Sequence, residues 1–151
     1  FEGMSAPTKN DVAIDGNDAH QLMEASLDNK EESVWCLADL TDVQRNLKST
    51  KYPDNNLIFV KGKVEDTIPS TLPQGDIALL RLDTDWYEST KHELQHLYPL
   101  LTQNGVLIID DYGHWQGCRK AVDEYFAEHN IKLLMNRIDY TGRMMIKNNL
   151  H

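Results

Sequence analysis

The stretch Ile77-Ala-Leu-Leu-Arg-Leu-Asp-Thr-Asp-Trp-Tyr87 decides the fold. An apolar run stops abruptly at two aspartates, Asp83 and Asp85. The same design recurs in Gly105-Val-Leu-Ile-Ile-Asp-Asp-Tyr112, where the aspartates are Asp110 and Asp111. Neither run alternates apolar with polar residues. That is the pattern of parallel strands covered on both faces. Between them, Asp85 to Leu101 reads as a helix with Leu94, Leu97 and Leu101 on one face. Asp85 or Thr90 is a candidate cap, and Pro99 should shorten the far end. Strand, helix and strand in this order form one crossover unit of an open α/β sheet.

The flanks extend the same architecture. Downstream, Trp115 to Glu128 presents Cys118, Val122, Tyr125 and Phe126 on one helical face. Leu133 to Ile138 and Arg143 to Ile146 then read as strands joined through Tyr140-Thr-Gly142, an antiparallel hairpin closing a mostly parallel sheet. Asn104-Gly105 reads as the turn before the second Asp-ended strand. Upstream, Leu57 to Val60 reads as a short strand. Thr41-Asp-Val-Gln44 reads as the capping box of a helix with Val43 and Leu47 on one face, stopped by Tyr52-Pro53. Residues 1 to 33 are polar and turn-rich, with a short helix at Ala19 to Leu27. One domain is expected, with residues 1–35 as a lid or loop region and 36–151 as the α/β core.

Composition narrows the partners. A net charge of −9 over 151 residues argues against nucleic acid or an anionic membrane, both of which need a basic face. Cys36 and Cys118 form no CxxC pair and suggest no disulfide framework. No run reaches transmembrane length and no signal peptide opens the chain, so a cytoplasmic location is expected.

Asp83 and Asp110 each follow the last apolar residue of a strand, and neighbouring strands lie about 5 Å apart. Ligands of open α/β sheets bind beyond such strand ends. Carboxylates that close repel one another, and a divalent cation removes the cost. Oxygen donors suit magnesium, calcium or manganese better than zinc. A single strand-end aspartate often only caps a turn, but four at two equivalent strand ends favour a metal. Asp85 or His114 is placed to act as a general base, although Asp85 also suits an N-cap and His114 a surface hinge beside Gly113. Trp86, Tyr87, Tyr112 and Trp115 flank the same edge, as pocket walls or as plain packing. Glu65 and Asp66 follow the upstream strand and are weaker candidates. No GxGxxG, GxxxxGK[ST] or GxSxG motif is present.

These residues resemble a family. Phe1-Glu-Gly-Met4, Val64-Glu-Asp-Thr67, Leu80-Arg-Leu-Asp-Thr-Asp-Trp-Tyr-Glu-Ser-Thr90, Gly105-Val-Leu-Ile-Ile-Asp-Asp-Tyr-Gly-His-Trp115 and Arg137-Ile-Asp-Tyr-Thr-Gly-Arg143 are similar to motifs of the macrocin O-methyltransferase (TylF-type) family. The resemblance implies a Rossmann-like S-adenosylmethionine methyltransferase fold, with S-adenosylmethionine and Mg2+ as cofactors. The acceptor would be a hydroxyl of a sugar or similar small natural product. It implies Asp83, Asp110 and Asp111 as metal ligands and Asp85 as general base. Some macrolide-branch members place a histidine one position later, where this chain has Trp86. It also implies cofactor contacts from Phe1, Glu2, Gly3, Glu65, Asp66 and Asp83.

The family's first strand, its Gly-rich turn and a second strand have no counterpart in this sequence. The expectation is the carboxy-terminal portion of such a domain, with little or no methyl transfer alone. An apolar sheet edge should then be exposed, and formation of a homo-oligomer is one way to cover it. The alternative is a non-catalytic metal- or ligand-binding module. A magnesium-dependent phosphatase or hydrolase is a third reading, weakened by the lack of a phosphate-cradling loop.

Overall fold

In the computed structural model, residues 3–30 and 33–148 are described. Helix α1 (Ala19–Ala25) and helix α2 (Leu40–Ser49) come first, followed by a 3-10 turn and the single-turn helix α3 (Val64–Thr67). Strand β1 (Ile77–Leu82) leads through α4 (Tyr87–Leu97) into β2 (Leu101–Ile109). Helix α5 (Gln116–Glu128) then precedes β3 (Asn136–Arg137) and β4 (Arg143–Ile146). The sheet order is β1-β2-β4-β3. β1 and β2 are parallel, whereas β4 runs antiparallel to both β2 and β3. The α/β architecture and a closing hairpin are those expected from the sequence, but the strand expected over Leu133 to Ile138 is only Asn136–Arg137, and Leu134 is exposed. No helix among the described residues is long and apolar enough to cross a membrane.

Apolar residues at alternate positions build the core. Leu80 and Leu82 of β1, Leu107 and Ile109 of β2, and Met145 of β4 pack against Leu94 of α4 and Val122 of α5. Tyr98 meets Tyr125 edge-on at 5.7 Å between ring centroids. Burial of each such side chain contributes about 1.5–3 kcal/mol. Pro99 acts as expected: α4 ends at Leu97 and gives way to a 3-10 turn, Tyr98–Leu100.

Several expectations are corrected. The strands are not covered on both faces. Leu79 is 59% exposed and Ile146 49% exposed, with Val106 between them in register, because the long helices cover one side of the sheet only. Leu57 to Val60 runs without strand pairing, and Ile58 is 87% exposed. A strand exists only if a neighbour accepts its hydrogen bonds, and β1 is the edge strand of this sheet. Asn104-Gly105 is not a free turn. It lies within β2, where Asn104 has φ +62° and the β1–β2 register shifts. Helix α2 is capped by Asp39, which accepts from Asp42 N at 2.9 Å, rather than by Thr41.

The amino-terminal segment, expected as a lid or loop, is laid against the helix starts. Ala13 bridges Trp115, Gln116 N donates to Val12 O at 2.9 Å, and Ala13, Ala19 and Met23 join the core. Asp11 is fully buried and accepts Tyr87 N at 2.7 Å, so it caps α4 from a distant segment. Trp86 holds the N-cap position of that helix but supplies no side-chain cap, and neither Asp85 nor Thr90 fills that role.

Candidate active site at the ends of the parallel strands

The β1–β2 register pairs Leu82 with Ile109 and so sets Asp83 beside Asp110. Asp110 N donates to Leu82 O at 2.9 Å, carrying the ladder one residue past the strands. The two carboxylates share one cationic partner, Arg81, which holds Asp110 by two contacts and Asp83 by one. Arg81 reaches back along the sheet and places its guanidinium 3.0 Å from Asp110 Oδ1 and 2.9 Å from Asp83 Oδ2. Its Nε donates a further bond to Asp110 at 3.2 Å. Asp110 is therefore held by a cation the protein itself supplies.

After Asp83 the chain turns sharply. Trp86 N donates to Thr84 O at 2.7 Å, and Asp85 takes the left-handed conformation, φ +62°. A non-glycine residue there costs about 1 kcal/mol, and such a turn persists only where its surroundings hold it. Trp115 Nε1 donates to Asp85 Oδ2 at 3.1 Å. Trp86 meets Trp115 edge-on at 4.9 Å and donates its own Nε1 to Ser5 O at 2.9 Å. On the other side, His114 N and Trp115 N both donate to Asp111 O at 3.0 Å. The result is a cluster of Asp83, Asp85 and Asp111, with one carboxylate oxygen of each within 4.8 Å of the others.

The cluster is electrostatically strained. Burial pushes the Asp111 carboxyl up to about 8, and the negative Asp85 beside it adds to the rise. Burial likewise raises Asp85 and Asp83, and for Asp83 the Asp110 charge adds while Arg81 opposes. Asp111 Oδ2 is buried without a partner, since a neighbouring carboxylate has no proton to donate. One proton shared between Asp85 and Asp111 relieves this, and so does a divalent cation. All donors are hard oxygens, and Asp111 Oδ2 is buried with a lone pair unused, so the residues fit magnesium, calcium or manganese.

A cavity of about 440 Å³ opens beside Asp83. Its lining includes Gly3, Gly62, Lys63, Glu65 and Thr84. Of the expected cofactor contacts, Gly3, Glu65 and Asp83 thus converge on one cavity. Asp66 lines an adjoining cleft with Ser5 and Trp86, while Phe1 and Glu2 lie outside the described residues. Gly3 has φ +83°, and a Cβ there would meet Trp35 O at 2.8 Å, so the cavity wall needs glycine.

The other candidates separate. Among the four aromatic residues, Trp86 and Trp115 frame Asp85. Tyr87 instead donates to Glu124 at 2.6 Å and Tyr112 to Asp123 at 2.8 Å, tying both to α5. His114 Nδ1 pairs with the Tyr140 hydroxyl at 3.3 Å. The sequence offers Glu93 only as the capping-box partner of Thr90, and the structure places it at the site instead. This α4 residue is only 6% exposed and accepts from Thr84 Oγ1 at 2.9 Å. Burial pushes its carboxyl up to about 7, opposed by the Thr84 hydrogen bond. The signal was present, because Glu93 shares an inward face with Thr90 and Leu94.

This arrangement can be set beside proteins of known kind. The macrocin O-methyltransferase (TylF) family model matches residues 1–147. The chain belongs to that family. Within it, the chain is 36% identical over 132 residues to demethyldecarbamoylnovobiocin O-methyltransferase of Streptomyces niveus, covering 87% of this chain and 48% of that protein. It is also 36% identical over 142 residues to mycinamicin III 3''-O-methyltransferase of Micromonospora griseorubida, covering 94% and 52%. The solved O-methyltransferase NovP superposes with a TM-score of 0.75 at 32% identity, over 99% of this chain and 57% of that one. The chain thus spans about half the length of the relatives it matches.

Proposed function

We propose that this TylF-family chain carries the metal- and acceptor-binding part of a magnesium- and S-adenosylmethionine-dependent O-methyltransferase. Its acceptor is a hydroxyl of a sugar or similar small natural product. The observation that carries this reading is the meeting of Asp83, Asp85 and Asp111 at the end of the parallel strand pair, beside a cavity large enough for a small ligand. The names of the matched relatives support the reaction class and the kind of acceptor.

In this reading Asp83 and Asp111 hold the cation from two strand ends, with Asp110 beside Asp83 as the third ligand implied by the family pattern. The bound cation supplies Lewis acidity that lowers the pKa of a coordinated hydroxyl. Asp85 takes the hydroxyl proton at its carboxylate. Trp115 donates to one oxygen and orients the group against Asp111. Burial of Asp85 favours its protonated form and so makes it a stronger base than an exposed aspartate. Glu65 and the glycines Gly3 and Gly62 contribute the wall of the donor cavity. In-line transfer then requires only that the acceptor oxygen face the methyl carbon.

The test is a magnesium titration followed by thermal unfolding. At a hundredfold excess over Kd the gain is about 2.7 kcal/mol, which is several degrees for a chain of this size. Asp83→Ala abolishes the shift. A shift unchanged in that variant refutes the metal assignment. Calorimetry with S-adenosylhomocysteine examines the cofactor half. Metal binding without it points to the non-catalytic binding module instead.

A further inference from the structure

We propose that Glu93 is a positioning residue for the metal site, acting through Thr84 to hold the turn that carries Asp83 and Asp85. The inference rests on the metal reading above and extends it to a residue that touches neither metal nor substrate.

Thr84 is the only residue between the two aspartates, and it is held at both its side chain and its backbone. Its hydroxyl donates to Glu93 Oε2 at 2.9 Å. Its carbonyl accepts from Trp86 N at 2.7 Å and from Ser89 Oγ at 3.1 Å. Ser89 and Glu93 lie four residues, about one turn, apart among the buried positions of α4, so the helix holds the turn from behind. The turn needs holding, since it contains Asp85 at φ +62°. Releasing the Thr84 side chain lets Asp85 relax toward ordinary backbone angles, which swings its carboxylate away from Asp111.

Glu93 has no evident structural reason to be charged. It is 6% exposed, and none of the ion pairs among the described residues includes it. A leucine of similar volume would fill the same space without the cost of burying a carboxylate. A buried acceptor retained at such a cost, aimed at the backbone turn of a carboxylate cluster, fits the role of the residues that orient metal ligands.

The experiment compares the parent chain with Glu93→Leu, Glu93→Gln, Thr84→Val and the Glu93→Leu/Thr84→Val double variant. Each is titrated with magnesium by calorimetry and unfolded thermally without metal. Glu93→Leu is expected to unfold no earlier than the parent, yet to bind magnesium about tenfold more weakly. Glu93→Gln, which keeps an acceptor for Thr84, stays within about threefold of the parent. Thr84→Val loses the same affinity, and the double variant loses no more, because both changes break one bond. Parent-like affinity in Glu93→Leu or in Thr84→Val overturns the proposal. So does a loss in Glu93→Gln equal to that in Glu93→Leu, which would assign the effect to charge. If Glu93→Leu fails to fold, Thr84→Val decides alone. Absence of magnesium binding in the parent overturns the metal reading itself and this inference with it, and the parent titration separates that outcome from a failure at Glu93.

Discussion

Asp11→Ala is expected to lower the unfolding free energy by about 3 kcal/mol. Asp11 is fully buried and accepts three hydrogen bonds, from Thr8 N at 2.6 Å, Thr8 Oγ1 at 2.9 Å and Tyr87 N at 2.7 Å. The last of these satisfies the first N–H of α4, whose own cap residue, Trp86, offers no side-chain acceptor. A negative charge at that end also gains from the helix dipole. Alanine leaves three donors in a dry environment without partners. Asp11→Asn keeps one acceptor oxygen for Tyr87 N but presents a donor NH2, which accepts from neither Thr8 group, so its loss is smaller than alanine's. Gly117→Ala reaches the same end by another route. A Cβ on Gly117 would fall on Asp11 Oδ1, and the aspartate must move. Urea unfolding at neutral pH reads all three. A loss under about 0.5 kcal/mol for Asp11→Ala, the range of ordinary surface changes, removes the cap from the account of the fold.

Without metal, the chain is expected to become less stable as pH rises from about 4.5 to 8, the reverse of ordinary acid denaturation. Glu93 rises from its ordinary 4.5 to about 7 in the folded chain, and Asp111 from 3.8 to about 8. Within those windows the folded state holds protons that the unfolded state has released, so raising the pH favours unfolding. For Glu93 the loss approaches about 3 kcal/mol by pH 7. Asp111 acts in the same direction, but its rise depends on the charge of Asp85 beside it, so it contributes less than its own rise suggests. Glu124 and Asp139, whose carboxyls are lowered by their hydrogen bonds, act with the opposite sign but only in the more acidic range. Thermal unfolding with chelator at pH 5.5 and pH 8 measures the trend, and Glu93→Gln should flatten it. Equal stability at the two pH values contradicts the buried protons. Magnesium should oppose the trend, because its ligands must be deprotonated and it competes with the Asp111 proton at low pH. The metal-induced shift is therefore larger at pH 8 than at pH 5.5.

The legible parts of this molecule are those written as local pattern. Leu80, Leu82, Leu107 and Ile109 announce buried strands, and the closing hairpin was readable from the turn at Tyr140-Thr-Gly142. The family motifs named the relatives. The illegible parts depend on neighbours. Leu57 to Val60 is as apolar as a strand but has no partner strand among the described residues. Leu79 and Ile108 read as covered on both faces, yet an apolar side chain carries no record of whether a layer lies above it.

The sequence alone determined that two apolar strands each end in paired aspartates; that Asp83 and Asp110 lie side by side followed only if the strands were neighbours, and the β1–β2 register makes them so. An apolar run that stops at a carboxylate is a local signal, whereas the pairing of the runs is not, as Leu57 to Val60, apolar but not a strand, shows. Only the tertiary structure decided which carboxylates share a site. Arg81 bridges Asp83 and Asp110, the left-handed turn at Asp85 brings its carboxylate to Asp111, and Thr84 is gripped by Glu93 of α4. Asp11 caps a helix 76 residues away. Such contacts are set by how elements pack, and no local pattern encodes them.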